Sequence, residues 1–65
     1  MNILVAKNVG GVFQKVGVFV PNEVFIADPA GDFLSTIGYQ YFKNEPAAVS
    51  FDIEYLGFQY RVNKF

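Results

Sequence analysis

Asp52 and Glu54 stand two residues apart in the stretch 49–62, VSFDIEYLGFQYRV, and that spacing puts both carboxylates on one face of a strand. Paired carboxylates are what acid–base hydrolysis or a hard-cation site requires. Arg61 and Gln59 fall where a hairpin would set them opposite Asp52 and Glu54, which makes a solvated face whose charges fix register the preferred reading. Ser35, Thr36 and Ser50 supply hydroxyls, but the chain has neither histidine nor cysteine. The usual general base and thiol nucleophile are therefore missing. Gly10-Gly11 has no lysine and no following helix to make it a phosphate loop, so it is read as a turn. The sequence predicts no enzyme, no cofactor and no metal.

Two other clusters point to binding. Tyr39, Tyr41 and Phe42 run into Lys43, with Arg61 and Lys64 as further bases. Aromatics beside cations form the platform on which single-stranded nucleic acid stacks. Against that use, the net charge is -1 and the five basic residues are scattered without a run, so no long-range attraction for a polyanion is expected. Filling a core with tyrosine hydroxyls at its rim competes for the same residues. The second cluster is Leu4, Phe13 and Phe19, expected at a barrel edge or on the outer side of the second strand. Hydrophobic residues make up 52% of only 65 residues and aromatics 18%. A chain this short buries about 60% of the surface it exposes when unfolded, and it has no disulfide with which to compensate. Very good packing or a partner must supply the rest, and Tyr, Phe and Arg are residues that interfaces favour.

The elements that position these residues are expected to be strands. Asn2 to Val9 and Val12 to Val20 flank Gly10-Gly11, which suits a two-residue hairpin. The expected pairs are Val9–Val12, Val5–Val16 and Ile3–Val18 on one face. On the other they are Asn8–Phe13, Ala6–Lys15, Leu4–Gly17 and Asn2–Phe19. Val12–Val20 is apolar on both faces in its second half, and Gly17 marks a bulge or bend. After the turn at 21–23, Val24–Ala27 reads as a third strand, and Asp28-Pro29-Ala30-Gly31 as a type I turn. Phe33–Phe42 reads as a fourth strand because of Gly38 and the Tyr-x-Tyr-Phe ending. A helix begun at Asp32, with Phe33, Leu34, Ile37 and Tyr41 on one face, is the competing assignment. Beyond the break at Lys43–Pro46, apolar parity in the last stretch shifts across Leu56-Gly57. Either a hairpin pairs Tyr55 with Phe58 and Asp52 with Arg61, or one long strand bulges at Gly57. The hairpin is preferred, although Leu56 suits such a turn poorly.

Five or six short strands within one domain, residues 1–65, make an all-β fold, a small antiparallel barrel or curled sheet in the SH3-like or OB-like style with little or no helix. Lys15-Val16-Gly17-Val18-Phe19-Val20, Glu23-Val24-Phe25-Ile26 and Val49-Ser50-Phe51-Asp52-Ile53-Glu54 resemble, in that order, strands of the cold-shock domains. Those domains alternate glycine and aromatics where Val16 and Val18 stand here, and carry a histidine where this chain has Ala27. What the resemblance implies is an OB-like barrel.

The expected function is a non-enzymatic protein-interaction module, an inhibitor or adaptor of a larger protein complex that also self-associates. Its contact residues are drawn from Leu4, Phe13, Phe19, Tyr39, Tyr41, Lys43 and Arg61. The alternative is a single-strand nucleic-acid binder using Tyr39, Tyr41, Lys43 and Arg61. Met1–Val5 has no basic leader and no apolar run approaches ~18 residues, so a cytoplasmic location with no membrane contact is expected.

Overall fold

Two hairpins and a helix make up the computed structural model, which describes residues 1–20 and 29–65. Strands β1 (Ile3–Val9) and β2 (Val12–Phe19) are followed by helix α1 (Pro29–Asn44), then by β3 (Ser50–Tyr55) and β4 (Phe58–Lys64). The sheet order is β2-β1-β4-β3, antiparallel throughout. The first and last strands are thus central neighbours, and the backbones of Asn2 and Phe65 exchange hydrogen bonds of 2.9 and 3.0 Å. The described residues are mostly β and antiparallel, as expected, but their four strands form an open sheet with a helix on one face and do not close into the expected barrel. The OB-like expectation fails with it. The expected strand Val24–Ala27 and the turn at 21–23 lie outside the described residues.

Gly10 and Gly11 make the first turn with φ of 62° and 90°, and the side chain of Asn8 accepts a hydrogen bond from the Gly11 N–H at 2.8 Å. Pairing follows expectation from Val9–Val12 through Ala6–Lys15. The register then slips, so that Val5 faces Gly17, Leu4 faces Val18 and Ile3 faces Phe19. Val16 is the extra residue of a bulge, and a bulge inverts the side-chain parity of everything beyond it. Phe19, expected outside with Leu4 and Phe13, consequently lands on the helix side. There it is buried with Ile3, Val5, Leu34, Phe42, Tyr60 and Val62, while Val18 turns outward.

The segment read as a fourth strand is helical. Pro29 is its first described residue, with a fixed φ that suits a helix; Pro29 to Gly31 of the expected turn are therefore helical, and Asp28 lies outside the described residues. Lys43 lies in the last turn, and Pro46 follows two residues beyond. Gly31, Leu34, Ser35, Gly38 and Phe42 are buried at spacings that trace one helical stripe. Gly38 serves close approach: a methyl there would sit 2.6 Å from Cγ1 of Val62.

The second hairpin forms in the expected register, with every expected pair from Phe51–Val62 through Asp52–Arg61 to Tyr55–Phe58, and continues to Ser50–Asn63. Leu56 and Gly57 form its turn with φ of 52° and 84°, and Leu56 is 79% exposed. A leucine in the left-handed region is strained, whereas asparagine tolerates it. Leu56→Asn is therefore expected to raise stability by about 0.5–1 kcal/mol. A higher urea midpoint at unchanged slope would show this, and a lower midpoint would mean that leucine makes a contact the hairpin needs.

Candidate functional site

Alternation along the strands divides the side chains between a face under α1 and an outer face with no covering layer among the described residues. Leu4, Ala6 and Asn8 of β1, Phe13, Lys15 and Val18 of β2, Gln59 and Arg61 of β4, and Asp52 and Glu54 of β3 occupy the outer face. Arg61 lies at its centre. Its Nε donates to Oδ1 of Asp52 at 2.8 Å and its Nη2 to Oδ2 at 3.1 Å, while its guanidinium lies 4.1 Å from the centroid of the Phe13 ring. Gln59 Nε2 reaches Asp52 Oδ2 at 3.5 Å, and Asn8 Nδ2 donates to Gln59 Oε1 at 3.0 Å. Hydrogen bonds thus link β1, β4 and β3, and the Phe13 ring against Arg61 joins β2 to them.

The hydrogen bond from Arg61 holds the Asp52 carboxyl below its usual value, against the opposing effect of desolvation and with the guanidinium charge as a smaller contribution. The same bond raises Arg61. Asp52 is thus an ionised partner of arginine, and both of its oxygens are engaged. Glu54, its presumed companion in acid–base chemistry, has no ion pair among the described residues.

The seven expected contact residues do not form one surface. Leu4, Phe13 and Arg61 share the outer face, and Phe19 is core for the reason of parity given above. Tyr39, Tyr41 and Lys43 ride on α1, which packs on the opposite side of the sheet. Lys43 Nζ stands 5.2 Å from the Tyr39 ring centroid, so helical i,i+4 spacing rather than a strand brings them together.

Sequence reasoning missed a ledge of aromatics between α1 and β3. Phe33, Ile37 and Tyr41 follow one another at i,i+4 along the helix flank. The Phe33 ring lies 5.0 Å from that of Tyr55, and Tyr41 lies 4.5 Å from Phe51. Phe33 and Tyr41 remain 47% and 38% exposed, so the ledge is only partly closed. The i,i+4 spacing was the signal for it, hidden by the strand assignment.

The basic residues are also committed. Lys7 Nζ sits 3.8 Å from the Phe58 centroid, and Lys64 Nζ sits 5.5 Å from that of Phe42 while donating to the Pro46 carbonyl at 2.6 Å. With Arg61 on Phe13 and Lys43 on Tyr39, four of the five cations lie against rings. No helix among the described residues is long and apolar enough to cross a membrane. Comparison with known protein families, curated proteins and solved structures finds no match to this chain.

Proposed function

We propose that this chain is a non-enzymatic protein-interaction module of the cytoplasm, acting as an inhibitor or adaptor of a larger protein complex. The observation that carries the reading is the outer face of the sheet, uncovered among the described residues, which holds Leu4, the 39%-exposed Val18 and Phe13 against the hydrogen-bonded Arg61–Asp52 pair. An ordered arginine beside an aromatic is the composition that protein interfaces favour, and it loses little rotamer freedom on binding. Self-association fits the same face. The row Lys15, Ala6, Arg61, Asp52 crosses the sheet from β2 to β3, and its reversal in a second copy sets Lys15 against Asp52.

The nucleic-acid alternative draws less support. Phe13 is the aromatic of the outer face, Arg61 already covers it, and Asp52 neutralises that arginine. Tyr39, Tyr41 and Lys43 are too far around the fold to join them. Affinity capture from the source cell with nuclease-treated extract tests the choice. A protein partner retained after nuclease treatment is the expected result, and recovery that disappears with the nucleic acid would overturn it.

A further inference from the structure

Of the two edges that the described strands leave, β2 is broken by the Val16 bulge and carries Lys15, devices that discourage strand addition. Strand β3 has neither. Its six residues pair with β4 in unbroken register and include no glycine, proline or lysine. The direction of its free backbone groups follows from one bond: Lys64 N–H donates to the Val49 carbonyl at 2.9 Å. Antiparallel pairs alternate between bonded and non-bonded, so Phe51, Ile53 and Tyr55 direct their backbone groups to β4. Those of Ser50, Asp52 and Glu54 point away from the sheet, toward no strand among the described residues.

The two sides of this edge differ in chemistry. The outer side carries the carboxylates of Asp52 and Glu54, and Glu54 has no cation of its own among the described residues. The inner side is the partly open ledge of Phe33, Tyr41, Phe51 and Tyr55. A strand added here would meet acid with one set of alternate side chains and aromatics with the other. A second β3 is a poor occupant, because antiparallel self-pairing brings the carboxylates of two copies together.

We propose that the β3 edge takes up, by strand addition, an extended segment of a partner protein that alternates cationic with apolar side chains. This rests on the interaction-module reading and names its partner's chemistry. In such docking the main chain supplies affinity and the alternate side chains supply specificity.

The test is amide-resolved NMR of the full chain titrated with an end-blocked peptide alternating lysine and valine, and with its glutamate–valine counterpart. Shifts and slowed hydrogen exchange at Ser50, Asp52 and Glu54 with the lysine peptide alone are expected. Ser50→Pro removes an outward N–H without altering charge, at a strand-end position where proline is tolerated. Glu54→Lys reverses the free charge. Each is expected to weaken binding about tenfold, the equivalent of one backbone hydrogen bond for Ser50→Pro and of one charge pair for Glu54→Lys. Equal binding of the acidic peptide, shifts centred on Phe13 and Arg61, or no shift with either peptide would overturn the proposal. So would protection of the edge amides by the protein's own dimerisation, which would make a second copy the occupant. If a partner found by capture still binds Ser50→Pro at full strength, the edge is overturned and the interaction module stands. If wild type retains no protein partner, the module fails as well.

Discussion

Phe42→Ala is expected to cost about 3–5 kcal/mol and to leave much of the protein unfolded at room temperature, because a domain of this length has only about 3–10 kcal/mol to lose. Phe42 is 1% exposed and joins the last turn of α1 to both outer and central strands of the second hairpin. Its ring lies 5.6 Å from that of Phe51 and 5.4 Å from that of Tyr41, and Lys64 Nζ of β4 stands 5.5 Å from its centroid. Removing it opens a void that neither the rigid hairpin nor the helix can close without breaking other contacts. Urea titration followed by far-UV circular dichroism would measure the loss. A value under about 1 kcal/mol, the scale of an ordinary surface change, would mean that α1 does not seat on the sheet as described. Phe51→Ala is the natural control. On alternation alone Phe51 ranks as a core residue of equal weight, but it lies half-buried on an edge strand, so its truncation should cost less than that of Phe42.

The contrast between these two phenylalanines shows which parts of the fold were legible in the sequence. Alternation within 50–55 and again within 58–63 makes the pairs of the second hairpin legible once a hairpin is preferred to a bulged strand, because polar and apolar residues occupy opposite parities in each run. The bulge is expected at Gly17, one residue beyond where it falls, and the pairs of the first hairpin are legible only as far as Lys15. Beyond it the bulge at Val16 exchanges the faces, and a chain with valines at 16, 18 and 20 looks much the same in either parity. Phe19 was misplaced for that reason and no other. The helix was hidden differently. Its sheet-facing stripe is built from Gly31, Ser35 and Gly38 as well as Leu34 and Phe42, and small residues carry little hydrophobic signal. The aromatics that do carry signal, Phe33, Tyr39 and Tyr41, sit on its flanks, where their odd-numbered spacing imitates a strand. With the strand preferred to that helix, Tyr39, Tyr41 and Lys43 are grouped with Arg61 across a sheet that in fact separates them.

Gly38→Ala puts that account of the helix to a test of sign. In an isolated helix the change stabilises by about 1 kcal/mol. Here the new methyl would lie 2.6 Å from Cγ1 of Val62 and 3.4 Å from Cγ2 of Ile3. Val62 is fully buried on a central strand, between Val5 and Phe51. Its branched side chain has few rotamers to retreat into, so either α1 lifts or the valine strains, at about 1–3 kcal/mol for overpacking. The net expectation is a loss of about 1–2 kcal/mol once the propensity gain is subtracted. Truncating the opposing side chain should relieve it. In a double-mutant cycle Gly38→Ala should cost less in a Val62→Ala background than in wild type, with a coupling of about 0.5–3 kcal/mol, as for residues in direct contact. Additive effects would place Gly38 away from Val62. Stabilisation by the single change would mean that the helix does not press its glycine face on the sheet, and the aromatic ledge beside β3, which depends on that close approach to bring Phe33 and Tyr41 within reach of Tyr55 and Phe51, would lose its basis.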